Sequence, residues 1–159
     1  MKIDKVICQI LRSPSVVGKT ASCQDSLLVR IRTEDGVEGF GEADSSPEVV
    51  KAVIDAPFSH NIACGLRKLL IGENPWEIDR LWEKMYRSTL YYGRTGVTIT
   101  AMAAVDMALW DLLGKLQQQP IHRLLGGKRH SQFRAYASIL FGADGLATAD
   151  IGKAQIDDG

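Results

Sequence analysis

The chain has 159 residues, of which 45% are hydrophobic and 24% are charged. This length is enough for one domain with a sizeable core, or for one domain plus a fragment of another. Nineteen basic residues balance nineteen acidic ones, and no Lys/Arg run is longer than Arg67-Lys68 or Lys128-Arg129. This charge balance excludes the extended positive field that nucleic-acid binding requires. It remains compatible with local binding of a small anion. We also expect no membrane span, because the apolar stretches look too short or too interrupted.

The three cysteines, Cys8, Cys23 and Cys64, lie far apart and match neither a disulfide framework nor a zinc spacing. They are therefore interpreted as buried or idle thiols of a reducing compartment. Because the segment that starts at Met1 has no signal-peptide character, we expect a cytoplasmic protein.

Three strands are predicted at the start of the chain. Residues 3–12 are rich in Ile, Val and Leu, and residues 27–32 alternate between two faces, as in a half-buried strand. The Asp-Gly pair that ends at Gly36 suits a tight turn into a return strand. Gly39 and Gly41 leave one face of that return strand bare, which predicts close packing by another element.

Helices are predicted next. Ser46 and Asn74 each precede a proline, and Glu77 stands three residues after Asn74, a pattern typical of helix starts. A long helix from residue 97 to about residue 118 is apolar nearly all round, so it should be the most buried element.

The end of the chain predicts a strand over 134–140 and a weak helix over 146–156. Strands followed by several helices are typical of an α+β domain. The closing strand–helix pair favours a different, alternating pattern, as though a second domain begins there.

Charged residues interrupt the long apolar helix. The helical spacing places Asp106 on a stripe with Met102 and Trp110, so we predict that it is buried and paired with a cation or backbone donors. Asp111 and Lys115, four residues apart, are expected to pair along the helix surface. Structural roles are favoured over a catalytic acid pair.

The segment Ala101–Lys115, AMAAVDMALWDLLGK, resembles the signature helix of the mandelate racemase/muconate lactonizing enzyme family, within the enolase superfamily. Four further motifs are similar to the family in the same order: Gly39-Phe40-Gly41-Glu42-Ala43, Asn74-Pro75 before Leu81-Trp82, Leu124-Leu125-Gly126-Gly127, and Arg134-Ala135-Tyr136-Ala137-Ser138. Jointly these motifs are specific, and they cover essentially the whole chain.

The resemblance implies an α+β fold in which a three-stranded antiparallel sheet packs on a helical bundle, followed by the first βα unit of a truncated (β/α)8-type barrel. Residues 1–128 are accordingly assigned to the N-terminal capping domain and residues 129–159 to the start of the catalytic barrel. In the family, barrel carboxylates bind Mg²⁺ and Lys or His bases remove a proton α to a carboxylate. Because those motifs follow the first barrel strand, no catalytic or metal-binding residue is expected before Gly159.

The resemblance thus implies the N-terminal portion of an Mg²⁺-dependent lyase or isomerase that acts on a hydroxy acid or acid sugar. Dehydration is preferred, ahead of racemisation and cycloisomerisation. The full-length enzyme is expected to be a homo-oligomer, and these 159 residues alone are expected to be inactive. The alternatives are a stand-alone, non-catalytic binding domain and a truncated product without function.

Three residues are candidates for substrate binding. By position, residues 13–23 correspond to the family's first specificity loop, where Lys19 offers a cation for an acid and Ser22 a hydroxyl donor. A solvated loop is the alternative for both residues. Ser138 aligns with a barrel-strand position that points toward substrate in some members.

No metal site is expected in the chain itself. His60, His122 and His130 have no ligand spacing and should lie at the surface or in linkers. Glu42 is a single carboxylate beside two glycines, which does not define a site.

Overall fold

The computed structural model describes residues 1–15, 24–139 and 142–157. Three antiparallel strands form one sheet in chain order: β1 (Ile3–Arg12), β2 (Asp25–Thr33) and β3 (Glu38–Ala43). Gly36 closes the β2–β3 turn with a φ of 84°, a conformation that glycine adopts at little steric cost. The predicted sheet is confirmed.

The alternation in β2 separates a buried face from a half-buried one. Leu27, Val29 and Ile31 are fully buried, whereas Arg30 and Arg32 on the other face are only half-buried. The buried face is the one that the helices cover, so the hydrophobic core lies between the sheet and the helices.

Among the described residues, six helices follow the sheet: α1 (Pro47–Asp55), α2 (Leu66–Leu70), α3 (Ile78–Ser88), α4 (Val97–Gln117), α5 (Ile121–Leu124) and α6 (Gly145–Asp157). Ser46 occupies the N-cap position of α1, although its hydroxyl makes no capping hydrogen bond. Asn74 does not cap α3 as predicted. Its Oδ1 accepts a hydrogen bond from the Trp76 backbone N–H at 3.2 Å, so a local turn delays the helix start to Ile78.

Helix α4 is the centre of the core, as predicted. Met102, Val105 and Leu109 are fully buried. By length and composition α4 is also apolar enough to cross a membrane, so the expectation that every apolar stretch is too short or too interrupted is wrong for this helix. Half of its most apolar window is buried inside the protein, because it packs on the sheet and on the other helices.

Strand β3 and helix α4 touch backbone to backbone. A Cβ atom added at Gly39 would lie 2.1 Å from the Ala108 carbonyl oxygen, and one at Gly41 would lie 2.0 Å from the Ala104 carbonyl oxygen. Only hydrogen at these positions permits the contact, which confirms the close packing predicted from the two glycines.

The segment after α5 differs from the prediction. Residues 134–139 have no strand hydrogen bonds and are exposed, whereas α6 confirms the predicted helix without burying a residue. A strand needs a neighbour for its backbone groups, and the only sheet in the described ranges is the β1–β2–β3 sheet. Residues 134–139 therefore have the composition of a strand but no neighbouring strand to pair with among the described residues.

Candidate functional site

An open cleft of about 870 Å³ lies where the ends of β1, β2 and β3 meet one face of α4. Its apolar wall comes from α4, where Ile99, Ala103 and Met107 follow each other at one-turn spacing. Its polar wall comes from the strand ends and the residues beside them: Arg12, Ser13, Gln24, Asp25, Ser26, Glu42 and Asp44. The cleft thus combines an apolar surface with convergent polar groups, as small-molecule sites do.

Carboxylates dominate the polar wall. The Ser26 hydroxyl donates a hydrogen bond to Glu42 Oε1 at 2.6 Å, so the Glu42 carboxylate is held at the cleft. Asp44 is exposed and, within the described ranges, has no hydrogen bond or ion pair for its side chain. Asp44 is therefore free to accept hydrogen bonds from the hydroxyl groups of a ligand.

Arg12 supplies positive charge at the same edge. Its guanidinium forms an ion pair with Glu48 in the first turn of α1, and its Nη1 lies 3.7 Å from Asp25 Oδ2. Both carboxylates are surface groups, so these ion pairs hold Arg12 only loosely. The cleft therefore offers a ligand several carboxylate groups as hydrogen-bond acceptors. It also offers the Arg12 guanidinium, which Asp25 and Glu48 share.

The predicted ligands have different outcomes. Lys19 and Ser22 fall within residues 16–23, outside the described residues. Ser13 and Gln24, which flank that stretch, both line the cleft. Ser138 is exposed in the segment after α5 and is not among the residues that line the cleft.

Sequence reasoning missed Ser26, Asp44 and Arg12 as site residues. The signal was present in the hairpin, because pairing Leu27 with Ala43 places Ser26 and Asp44 side by side at one end of the sheet. Local sequence around either residue alone gives no such indication.

The Asp111–Lys115 pair is confirmed and also ties α4 to β3. Lys115 Nζ lies 2.6 Å from Asp111 Oδ2, which accepts a hydrogen bond from the Phe40 backbone N–H at 2.8 Å. Lys115 Nζ also donates to the Glu38 carbonyl at 2.9 Å and lies 4.3 Å from the centre of the Phe40 ring. The pair is structural, as expected.

Asp106 does not have the predicted surroundings. It is half-buried, and within the described ranges its side chain has no hydrogen bond or ion pair. Partial burial, and then the charge of Asp79 on α3, raise the pKa of Asp106 above its ordinary value. The predicted pairing with a cation or backbone donors is wrong, because the fully buried face of α4 is a different one.

The described cysteines and the three histidines have the surroundings that the sequence predicts for them. Cys8 and Cys64 are free thiols, and burial raises the pKa of Cys8 to about 11, so it stays protonated at neutral pH. Cys23 lies outside the described residues. The three histidines are exposed: His60, His122 and His130.

A magnesium site requires several oxygen ligands in near-octahedral arrangement. Within residues 1–15, 24–139 and 142–157, no three His, Cys, Asp or Glu side chains gather closely enough to hold a metal ion. The described residues therefore do not fit Mg²⁺.

The comparisons with known proteins agree with this architecture. Residues 4–126 match the family described as the mandelate racemase/muconate lactonizing enzyme, N-terminal domain. The chain belongs to this family, whose capping fold is the three-stranded sheet with helices found here.

Of two curated relatives, one is named as an acid-sugar dehydratase and the other as a member of an acid-sugar dehydratase family. An L-rhamnonate dehydratase from Saccharopolyspora erythraea is 34% identical over 113 residues, which is 71% of this chain and 27% of that protein. A D-galactonate dehydratase family member from Pseudarthrobacter chlorophenolicus is 40% identical over 117 residues, which is 74% of this chain and 27% of that protein. The chain thus spans about a quarter of the length of these curated relatives.

Solved structures extend the likeness to the whole chain. A predicted mandelate racemase from Rhodobacter sphaeroides superposes with a TM-score of 0.85 at 31% identity, over 99% of this chain and 40% of that one. A racemase from Streptomyces coelicolor with bound magnesium has a TM-score of 0.66 at 30% identity, over 79% of this chain and 36% of that one.

Proposed function

We propose that this chain is the substrate-capping part of a cytoplasmic, Mg²⁺-dependent lyase or isomerase that removes a proton α to a carboxylate. Dehydration of an acid sugar is the preferred reaction. The observation that carries the proposal is the cleft at the sheet end, in a chain of this family whose curated relatives include an L-rhamnonate dehydratase and a member of the D-galactonate dehydratase family. Residues 1–128 are the cap, and residues 129–159 begin the barrel.

The cleft residues suit recognition of the part of an acid sugar that does not react. Asp44 and the Ser26–Glu42 pair present acceptors to several hydroxyl groups. The α4 face at Ile99 and Met107 supplies an apolar wall that excludes water when the cleft closes over a substrate. Arg12, held between Asp25 and Glu48, is the cation of the wall.

In such an enzyme a bound Mg²⁺ would supply positive charge beside the substrate carboxylate, which would make the α proton easier to remove. One similar racemase structure contains bound magnesium. We assign the metal ligands and the bases to barrel strands beyond residue 159, so the residues of this chain contribute binding, orientation and exclusion of water.

Two observations test the proposal. Reading the gene past residue 159 should reveal a Lys-x-Lys strand followed by three spaced acidic residues. The product of that longer gene should exchange the proton α to the carboxylate of an acid sugar in deuterated buffer. A stop codon directly after residue 159, or no exchange with any acid sugar, would favour a stand-alone binding domain or an inactive product.

The cleft has its own test in the longer product. Asp44→Asn should raise KM for the acid sugar by about tenfold, because a charged hydrogen-bond acceptor is replaced by a neutral amide. Asp35→Asn, at the exposed β2–β3 turn, removes the same charge without touching the cleft and is the matched control. Equal KM values for the two variants would place the substrate elsewhere.

A further inference from the structure

We infer that the cleft at the sheet end accepts only an uncharged substrate tail, an inference that rests on the proposed function and adds to it the charge of the substrate. The tail is the end of the acid sugar remote from the carboxylate beside which the proton is removed. The substrate is then a monocarboxylate with a polyhydroxy tail, and an acid sugar with a carboxylate at both ends is rejected.

The wall of the cleft has a negative formal charge. Its described lining residues include three carboxylates: Asp25, Glu42 and Asp44. Arg12 is the only cation among the described lining residues, so the formal charge of this wall is −2. Lys19 lies outside the described residues, and even beside the cleft it would leave a formal charge of −1. The cleft therefore repels an anionic group whatever the position of Lys19.

Arg12 does not compensate for a second carboxylate on the substrate. Its guanidinium pairs with Glu48, and its Nη1 lies 3.7 Å from Asp25 Oδ2. These ion pairs are weak, but a ligand carboxylate that displaced one of the two side chains would still lie beside both of them. The exchange would replace one carboxylate on Arg12 by another and leave one more negative charge in the cleft.

Asp44 is the carboxylate that decides between the two kinds of tail. It is exposed and has no hydrogen bond or ion pair for its side chain within the described ranges, whereas Glu42 accepts a hydrogen bond from Ser26 at 2.6 Å. Hydroxyl groups of a neutral tail can donate hydrogen bonds to Asp44. A tail carboxylate offers no donor to Asp44 and repels it at the same distance.

The apolar wall of the cleft acts in the same direction. Ile99, Ala103 and Met107 of α4 face the carboxylates across the cleft. The C–H groups of a sugar chain can pack on these side chains at no electrostatic cost. A charged tail placed against them would lose water without gaining a partner.

The charge of the tail can be varied in the longer gene product with the proton-exchange assay. Each acid sugar is compared with its dicarboxylate, in which the terminal CH₂OH is oxidised to a carboxylate, and with the primary amide of that tail carboxylate. We expect kcat/KM for exchange to fall at least about tenfold in the dicarboxylate. The amide, which has the same size without the charge, should recover most of the loss. High salt should narrow the difference, because the screening length falls from about 10 Å at 0.1 M to about 3 Å at 1 M.

Asp44→Asn should move the two substrates in opposite directions. KM should rise for the monocarboxylate, which loses a charged acceptor, and should fall at least about threefold for the dicarboxylate, which loses a repulsive charge. Asp35→Asn, at the β2–β3 turn, should change neither KM.

Two kinds of failure can be told apart. A dicarboxylate used as well as its monocarboxylate, an amide as poor as the dicarboxylate, or an Asp44→Asn variant with equal effects on both substrates would overturn the uncharged-tail assignment and leave the proposed function standing. No exchange with any acid sugar would contradict the proposed function itself, and the assignment would be overturned with it.

Discussion

Asp106 illustrates how one charged residue in an apolar helix can be misassigned. Helical spacing predicts which residues share a face, but α4 is apolar on nearly every face, so spacing does not say which face is covered. Strand β3 packs on α4 at Ala104 and Ala108, whereas Asp106 is half-buried and feels the charge of Asp79 on α3.

The surroundings of Asp106 predict that its replacement by a neutral residue stabilises the fold. Because its folded-state pKa is raised above the unfolded value, the stability associated with its protonated form is present below the unfolded pKa and is lost as the pH rises through the folded pKa. Asp106→Asn should therefore stabilise the fold at pH 7, by about 0.5 kcal/mol after solvent screening, and be nearly neutral at pH 3. Urea unfolding at both pH values measures this.

Asp35→Asn is the control for the Asp106 experiment, since it removes an exposed carboxylate from a turn. A loss of stability on Asp106→Asn at pH 7 would mean that the carboxylate has a stabilising partner in solution.

Asp111 should show the opposite behaviour, because its carboxylate holds both the Phe40 N–H and Lys115. Asp111→Ala should cost about 1.5 kcal/mol by leaving the backbone donor without its partner. Asp111→Asn keeps a neutral acceptor and should cost clearly less. Thermal unfolding of the two variants separates the contribution of the hydrogen bond from that of the charge. Equal losses of stability in both variants would assign the whole effect to the charge.

At the scale of elements, the sheet, α4 and the β3–α4 contact could be predicted because each has a local cause: alternation, an apolar run, and two bare glycines. The start of α3 could not, because Asn74 can either cap a helix or close a turn on Trp76, and only the surrounding structure decides. The cleft could be predicted only in part, because Ser26 and Asp44 meet through strand pairing rather than through sequence proximity.

The β3–α4 contact makes a sharp prediction. Gly41→Ala would place a methyl group 2.0 Å from the Ala104 carbonyl oxygen, a backbone atom that cannot turn away. We expect a loss of about 3 kcal/mol or more, or failure to fold. Gly152→Ala in α6, where an added Cβ has nothing within 4 Å, should instead be neutral or slightly stabilising.

Circular dichroism melting curves of these two glycine variants test the contact directly. Similar stability of both variants would mean that α4 can move away from the sheet at little cost.

At the scale of the whole molecule, the proposed division of labour is that this chain binds the substrate and other residues carry out the chemistry. The described residues build a complete core and an open cleft, yet they gather no metal ligands. Isothermal titration of residues 1–159 with Mg²⁺ should show no stoichiometric binding, and the same protein should turn over no acid sugar. A one-to-one magnesium site, or measurable turnover, would show that the chemistry lies within this chain.

The hydrogen bonds between α4 and β3 also bear on how the protein avoids aggregation. Phe40 N–H and Glu38 C=O point away from β2, and they are taken by Asp111 and Lys115. On the opposite border, Gly72 N–H donates to the carbonyl of Ile3 at 2.8 Å. Exposed sheet borders recruit strands from other molecules. Side chains of one helix and a short loop thus occupy backbone groups that would otherwise template intermolecular β-pairing.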